Sequence, residues 1–153
     1  MKKLILLSIV FTTLLTGCKK EAPETKTPST EIAKPVEQPT TTTCYSFEEK
    51  GSTISLQMEI TGNDVTGTMV YALAEKDKNT GTLKGTLNND ILIADYTFQS
   101  EGVVSKRQVA FEVRGNQLIE GYGEMNEDGT SFKDVNQLKF NSTMPLNKKD
   151  CPK

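Results

Sequence analysis

Histidine and tryptophan are both missing from this 153-residue sequence. Without His the commonest general base is gone, and so are the Ser-His-Asp and Cys-His arrangements of nucleophilic catalysis. The usual nitrogen ligand of zinc and copper is gone too, and no C-x-x-C pair stands in for it. Positive charge is not in excess: 18 Lys and Arg face 20 Asp and Glu, with no basic stripe, so nucleic-acid binding has no electrostatic footing. No Gly-rich phosphate loop occurs, and no segment of ten residues keeps a helical period. Cysteine is scarce, with three residues. These absences argue against an enzyme, a cofactor, a metal centre and a helical fold.

What is present begins with a charged n-region, Met1-Lys2-Lys3, followed by a mostly apolar run over residues 4–15 (LILLSIVFTTLL). A helix of that length spans about 18 Å, well short of the roughly 30 Å hydrocarbon core of a bilayer. A removable export signal over residues 1–17 fits better than a permanent span. The next residues, Leu15-Thr16-Gly17-Cys18, resemble the lipobox of bacterial lipoproteins: a branched aliphatic residue, a small one, Gly or Ala, then Cys. That resemblance covers about eighteen residues. It implies that Cys18 receives a diacylglycerol, that cleavage follows Gly17, and that the new N-terminus is acylated, with palmitate for example. Two or three acyl chains hold a protein on a membrane where one binds only marginally. Lys19 stands where an Asp retains such lipoproteins at the inner membrane, so the resemblance favours the outer membrane of a Gram-negative envelope. Lys19-Lys20-Glu21 looks loosely like the charged surface-export signals of some of these lipoproteins.

Residues 18–43 are expected to be a lipid anchor and disordered linker. The stretch 19–43 holds four of the six prolines and seven threonines, with Ile32 and Val36 nearly its only sizeable apolar side chains. Such a segment cannot bury enough surface to offset its ordering entropy. Removing residues 1–17 takes away Lys2 and Lys3 and no acidic residue, leaving a net charge of −4. The remaining length, residues 44–153, suits one domain.

With Cys18 assigned to lipid, Cys44 and Cys151 remain. They bracket the domain, and export places them in an oxidising compartment, so they are expected to form a disulfide. Between them, apolar and polar residues alternate at period two, interrupted by turn signals about every ten residues. Strands are expected near residues 45–49, 53–61, 65–73, 80–87, 91–100, 105–113, 117–125 and 135–140. Turns fall at Gly62-Asn63-Asp64, Glu75 to Asn79, Asn88-Asn89-Asp90, Glu101-Gly102, Arg114-Gly115-Asn116 and residues 126–129. The pattern predicts an all-β, antiparallel up-and-down meander of about eight strands. We expect a small closed barrel, with an open sandwich as the alternative. The meander, rich in strand glycines, is loosely similar to small lipocalin-like barrels, although fold does not determine function.

Several residues are candidates for function. Gly67, Gly81, Gly85, Gly121 and Gly123 lie inside strands, where they mark sharp coiling or leave lumen space. Tyr71, Tyr96 and Tyr122 recur at comparable strand positions and are candidate ligand-lining residues, or else core. Asp95 and Glu120 lie within apolar stretches, but alternation alone puts each on a solvent face rather than in an acid/base pair. Asn126-Glu127-Asp128-Gly129 offers oxygens without the spacing of an EF-hand, and reads as an acidic turn. Val103 and Val104, with Lys106 and Arg107 beside them, form a candidate partner loop if the valines are exposed rather than tucked under the rim.

Two functions compete. One is a membrane-tethered binding module for a small apolar or amphipathic ligand, monomeric and without enzymatic activity. The other is an interaction, inhibitor or adaptor role towards another envelope protein. Lipoprotein lysozyme inhibitors are also small disulfide-bearing barrels, but their Ser-Gly-x-x-Tyr type of loop is missing here. A roomy lumen would favour the first, and a filled core with an exposed Val103–Val104 tip the second.

Overall fold

The structure, a computed structural model, describes residues 38–152. The expected export signal, Cys18 and the expected linker as far as residue 37 lie outside the described residues.

Alternation becomes architecture in β1 (Thr40–Glu49), β2 (Ser52–Thr61), β3 (Asp64–Ala72), β4 (Asn79–Asn88), β5 (Ile91–Ser100), β6 (Val103–Arg114), β7 (Gln117–Tyr122), β8 (Lys139–Phe140) and β9 (Leu146–Lys149). β1 to β6 pair in sequence order, all antiparallel, and β6 pairs β7. β9 then bridges β7 to β1, closing an eight-stranded barrel, with β8 added on β7. Five of the connections are two-residue hairpins, flanked by the pairs Glu49–Ser52, Thr61–Asp64, Asn88–Ile91, Ser100–Val103 and Arg114–Gln117. Positive φ at both Lys50 and Gly51, Asn89 and Asp90, and Glu101 and Gly102 marks the turn geometry whose twist matches that of the strands.

One face of each strand fills the barrel. Ile54, Leu56, Met69, Leu83, Leu92, Tyr96, Phe111, Leu118 and Leu146 are buried in one continuous cluster. The glycines on this face serve coiling. A Cβ at Gly67, Gly81 or Gly85 would lie 2.0–2.1 Å from the carbonyl oxygen of Gln57, Thr97 or Ile93 on the next strand. The backbones approach too closely for any side chain there, so these glycines bend the wall and open no lumen.

The structure departs from the sequence reading at both ends of the domain. β1 begins at Thr40, so Thr40–Thr43, read as linker, pair along Thr61 to Met58 of β2; β-branched threonines suit that pleated surface. The closing strand is not 135–140. Asp134 caps a short 3-10 turn at Val135–Gln137, only Lys139 and Phe140 extend, and Leu146–Lys149 completes the ring.

The seam is short, with three registered pairs between β1 and β9 and two between β9 and β7. Cys44 pairs with Lys149 in that seam, and its disulfide to Cys151, with Cα atoms 5.2 Å apart, ties the chain just after β9 to the middle of β1. The expected crosslink is therefore present, but it closes the wall part-way along β1 rather than at a rim.

Candidate functional site

The barrel has two ends. The β2–β3, β4–β5 and β6–β7 turns and the start of β1 share one, where Leu87 N–H donates to Asn63 O and Val113 N–H to Asp90 O. At the other end, the mouth, lie the β1–β2, β3–β4 and β5–β6 connections and the chain leaving β7. A cavity of about 530 Å³ opens there, with Tyr71, Arg107, Glu120 and Tyr122 among its polar lining residues and Leu73, Phe132 and Met144 among its apolar ones. The segment after β7 forms its outer side. Met125 bridges Phe132, Gln108 N–H donates to Thr130 O, and Phe132 N–H donates to the Gln108 Oε1.

Glu120 is the unexpected member. It faces inward with 8% of its surface exposed, whereas alternation had suggested a solvent face. Leu118 and Ile119 are both apolar, so the sequence left the facing of β7 open. The long-range partners decide it: Leu118 and Glu120 point in, while Phe140 covers Gly121 on the other face. The carboxylate is satisfied by phenols, with Tyr71 Oη donating to Oε1 at 2.6 Å and Tyr122 Oη to Oε2 at 3.2 Å. Tyr122 Oη also lies 3.2 Å from Ser142 Oγ. Burial raises the Glu120 pKa above the ordinary carboxylate value, against the two phenol hydrogen bonds and the positive charge of Arg107, which lower it. Burial and the Glu120 charge together hold the Tyr71 phenol well above its usual range.

Arg107 is paired with Tyr96 across β5 and β6 and so shares its inward face. Its guanidinium carbon lies 5.2 Å from the centroid of Tyr71, 5.4 Å from Phe98 and 5.9 Å from Tyr96. Tyr96 stacks on Phe98 at 4.9 Å and meets Tyr71 edge-on at 6.0 Å. Arg107 thus rests on an aromatic platform. Among the described residues no carboxylate is within ion-pair distance of it.

The three tyrosines divide. Tyr71 and Tyr122 line the cavity, the latter 46% exposed. Tyr96 is fully buried and donates to Met69 O at 3.1 Å, so it supports Arg107 from below without lining the cavity. Burial pushes its phenol up to about 12. The candidate partner loop divides as well. Val103 and Val104 do not tuck under the rim; they stand 63% and 70% exposed at the β5–β6 tip. Lys106 points outward to Asp95, 2.9 Å away, and Arg107 points inward, as consecutive strand residues must. Asp95 and Glu120 therefore sit on opposite faces of the wall and form no pair. In the 126–130 turn, Asp128 Oδ1 accepts from Thr130 N–H and Oγ1–H, and Asn126 Oδ1 accepts from the Thr130 and Ser131 N–H groups.

Sequence reasoning missed Glu120 as a buried group and Arg107 as an interior one. Fold and site define a filled antiparallel β-barrel with a polar pocket at one end. No family model, curated protein or solved structure matches the chain.

Proposed function

We propose that this protein is a cell-envelope lipoprotein whose barrel is a small-molecule binding module, anchored through Cys18 and without enzymatic activity. The observation that carries the reading is the mouth cavity, where apolar walls surround a few converging polar groups, Arg107, Glu120, Tyr71 and Tyr122. That composition, at a volume of 300–1,000 Å³, is typical of ligand pockets. The Leu15-Thr16-Gly17-Cys18 lipobox supports anchoring, and Lys19 supports an outer-membrane destination.

The filled core together with the exposed Val103–Val104 tip, the combination expected of an interaction role, favours a second reading, docking of an envelope protein. Mass spectrometry of the protein purified from its native envelope separates the two. A native mass exceeding the denatured mass by one discrete small molecule supports the binding module. Equal masses, with an envelope protein captured by the wild type and lost on Val103→Lys/Val104→Lys, support the second. The same spectra test the anchor: an N-terminal peptide beginning at Cys18 without added acyl mass refutes lipidation.

A further inference from the structure

We propose that the mouth pocket takes a small amphipathic anion, an organic carboxylate or phosphate monoester with a short apolar body, head-first onto Arg107. This rests on the reading of the mouth as a ligand site and assigns the chemical class of its ligand.

The argument starts at the guanidinium. Its five N–H donors lie in one plane, and stacking over aromatic rings engages the faces of that plane while leaving the donors at its edge. Arg107 has Tyr71, Tyr96 and Phe98 beneath it and is partly withdrawn from water, yet among the described residues it has no carboxylate partner. The obvious candidate, Glu120, is tied up elsewhere, with a phenol proton on each oxygen. The pocket thus holds a fixed cation whose donors are unused, and an anionic head group matches it by charge and by bidentate geometry. Leu73, Met125, Phe132 and Met144 supply apolar wall around the same cavity, two of them flexible thioethers that adapt to irregular shapes. A bare inorganic anion would leave that wall wet. An uncharged apolar molecule would leave the guanidinium unpaired.

Glu120 adds a pH dependence. The groups facing it are Tyr71 from β3, Arg107 from β6, and Tyr122 in its own strand with Ser142 behind it; Lys76 and Asp77 stand farther out on the β3–β4 connection. An anion on Arg107 brings a second negative charge near Glu120 and favours protonation of that carboxyl. Binding therefore tightens as pH falls through the Glu120 titration.

The test uses the chain from Lys19 to Lys153, which contains every strand of the barrel, followed by tyrosine fluorescence and by amide and methionine-methyl NMR. The probes are octanoate, octyl phosphate, octan-1-ol and inorganic phosphate. Octanoate or octyl phosphate should bind at least about tenfold more tightly than octanol, the effect of one charge-assisted contact, and should shift Met144 and Tyr71. The tighter of the two names the head group. Arg107→Gln should reduce both anions to the level of octanol, Arg107→Lys should restore part of the difference, and Glu120→Gln should remove the pH dependence that octanoate binding shows above the titration of octanoate itself; octyl phosphate keeps the pH dependence of its own second ionisation. If octanol binds as well as octanoate, or Arg107→Gln changes nothing in a spectrum that remains dispersed, the anion class is wrong while the pocket reading survives. If inorganic phosphate alone binds as tightly as octyl phosphate, the apolar body has no role and the amphipathic class is wrong. If no probe shifts a mouth residue, both readings fail.

Discussion

At the scale of single residues, Glu120 carries the largest consequence. Its carboxyl is raised by burial, so the folded protein holds its proton to a higher pH than the unfolded chain does. A group of this kind stabilises the fold fully below its unfolded pKa, and that contribution is lost as pH rises through the folded value. Urea unfolding of the wild type should therefore show stability declining as pH rises above about 4.5, the ordinary carboxylate value. Glu120→Gln should flatten that decline, and an unchanged slope would mean that Glu120 titrates normally. None of this was legible from LIEGYG, because one strand does not reveal which phenols will meet its carboxylate from across a barrel. Tyr71 and Tyr122 come from 49 residues and two residues away. Arg107 was legible as a charge but not as an interior one, since its aromatic platform comes from β3 and β5.

At the scale of elements, the wall is strong where hairpins are local and weak where the chain must return from a distance. β1 to β6 are joined by full ladders, whereas β9 holds β7 and β1 together through a handful of pairs. The disulfide lies across that seam and closes a 107-residue separation. The chain-entropy account puts its contribution at about 4–5 kcal/mol. Cys44→Ala/Cys151→Ala should lower unfolding free energy by about that amount and raise amide exchange first in β9 and the adjoining part of β1. Uniform loss of protection would instead mean that the seam is no weaker than the rest. The coiled part of the wall makes a separate prediction. Gly81→Val would drive a side chain into the β5 backbone, where a Cβ alone would approach Thr97 O to 2.0 Å. Overpacking of this kind costs about 1–3 kcal/mol or more. A denaturation midpoint equal to the wild type would refute the close-approach role of the strand glycines.

At the scale of the whole molecule, the cavity and the exposed valine tip share one end of the barrel. The barrel interior is packed from Leu118 to Leu83, so any ligand is held at the mouth and not in a through-going lumen. A ligand held there would be a small molecule. Arg107→Gln should cost about 0.5–2 kcal/mol of unfolding free energy, the loss of its stacking on Tyr71, Tyr96 and Phe98. A much larger drop would show that Arg107 is itself a structural part of the core on which its aromatic platform rests.

What the sequence alone determined was local. Period-two alternation specified β1 to β7, and Asn88-Asn89-Asp90, Glu101-Gly102 and Arg114-Gly115-Asn116 specified tight turns, because each depends on a few adjacent residues. The paired cysteines indicated that the two ends of the domain meet. Tertiary structure decided which segment closes the ring: residues 135–140 (VNQLKF) carry more apolar side chains than 146–149 (LNKK), yet only the latter pairs with both β1 and β7. It also decided the facing of Glu120 and Arg107, because a strand exposes two faces and the choice between them is made by partners distant in sequence.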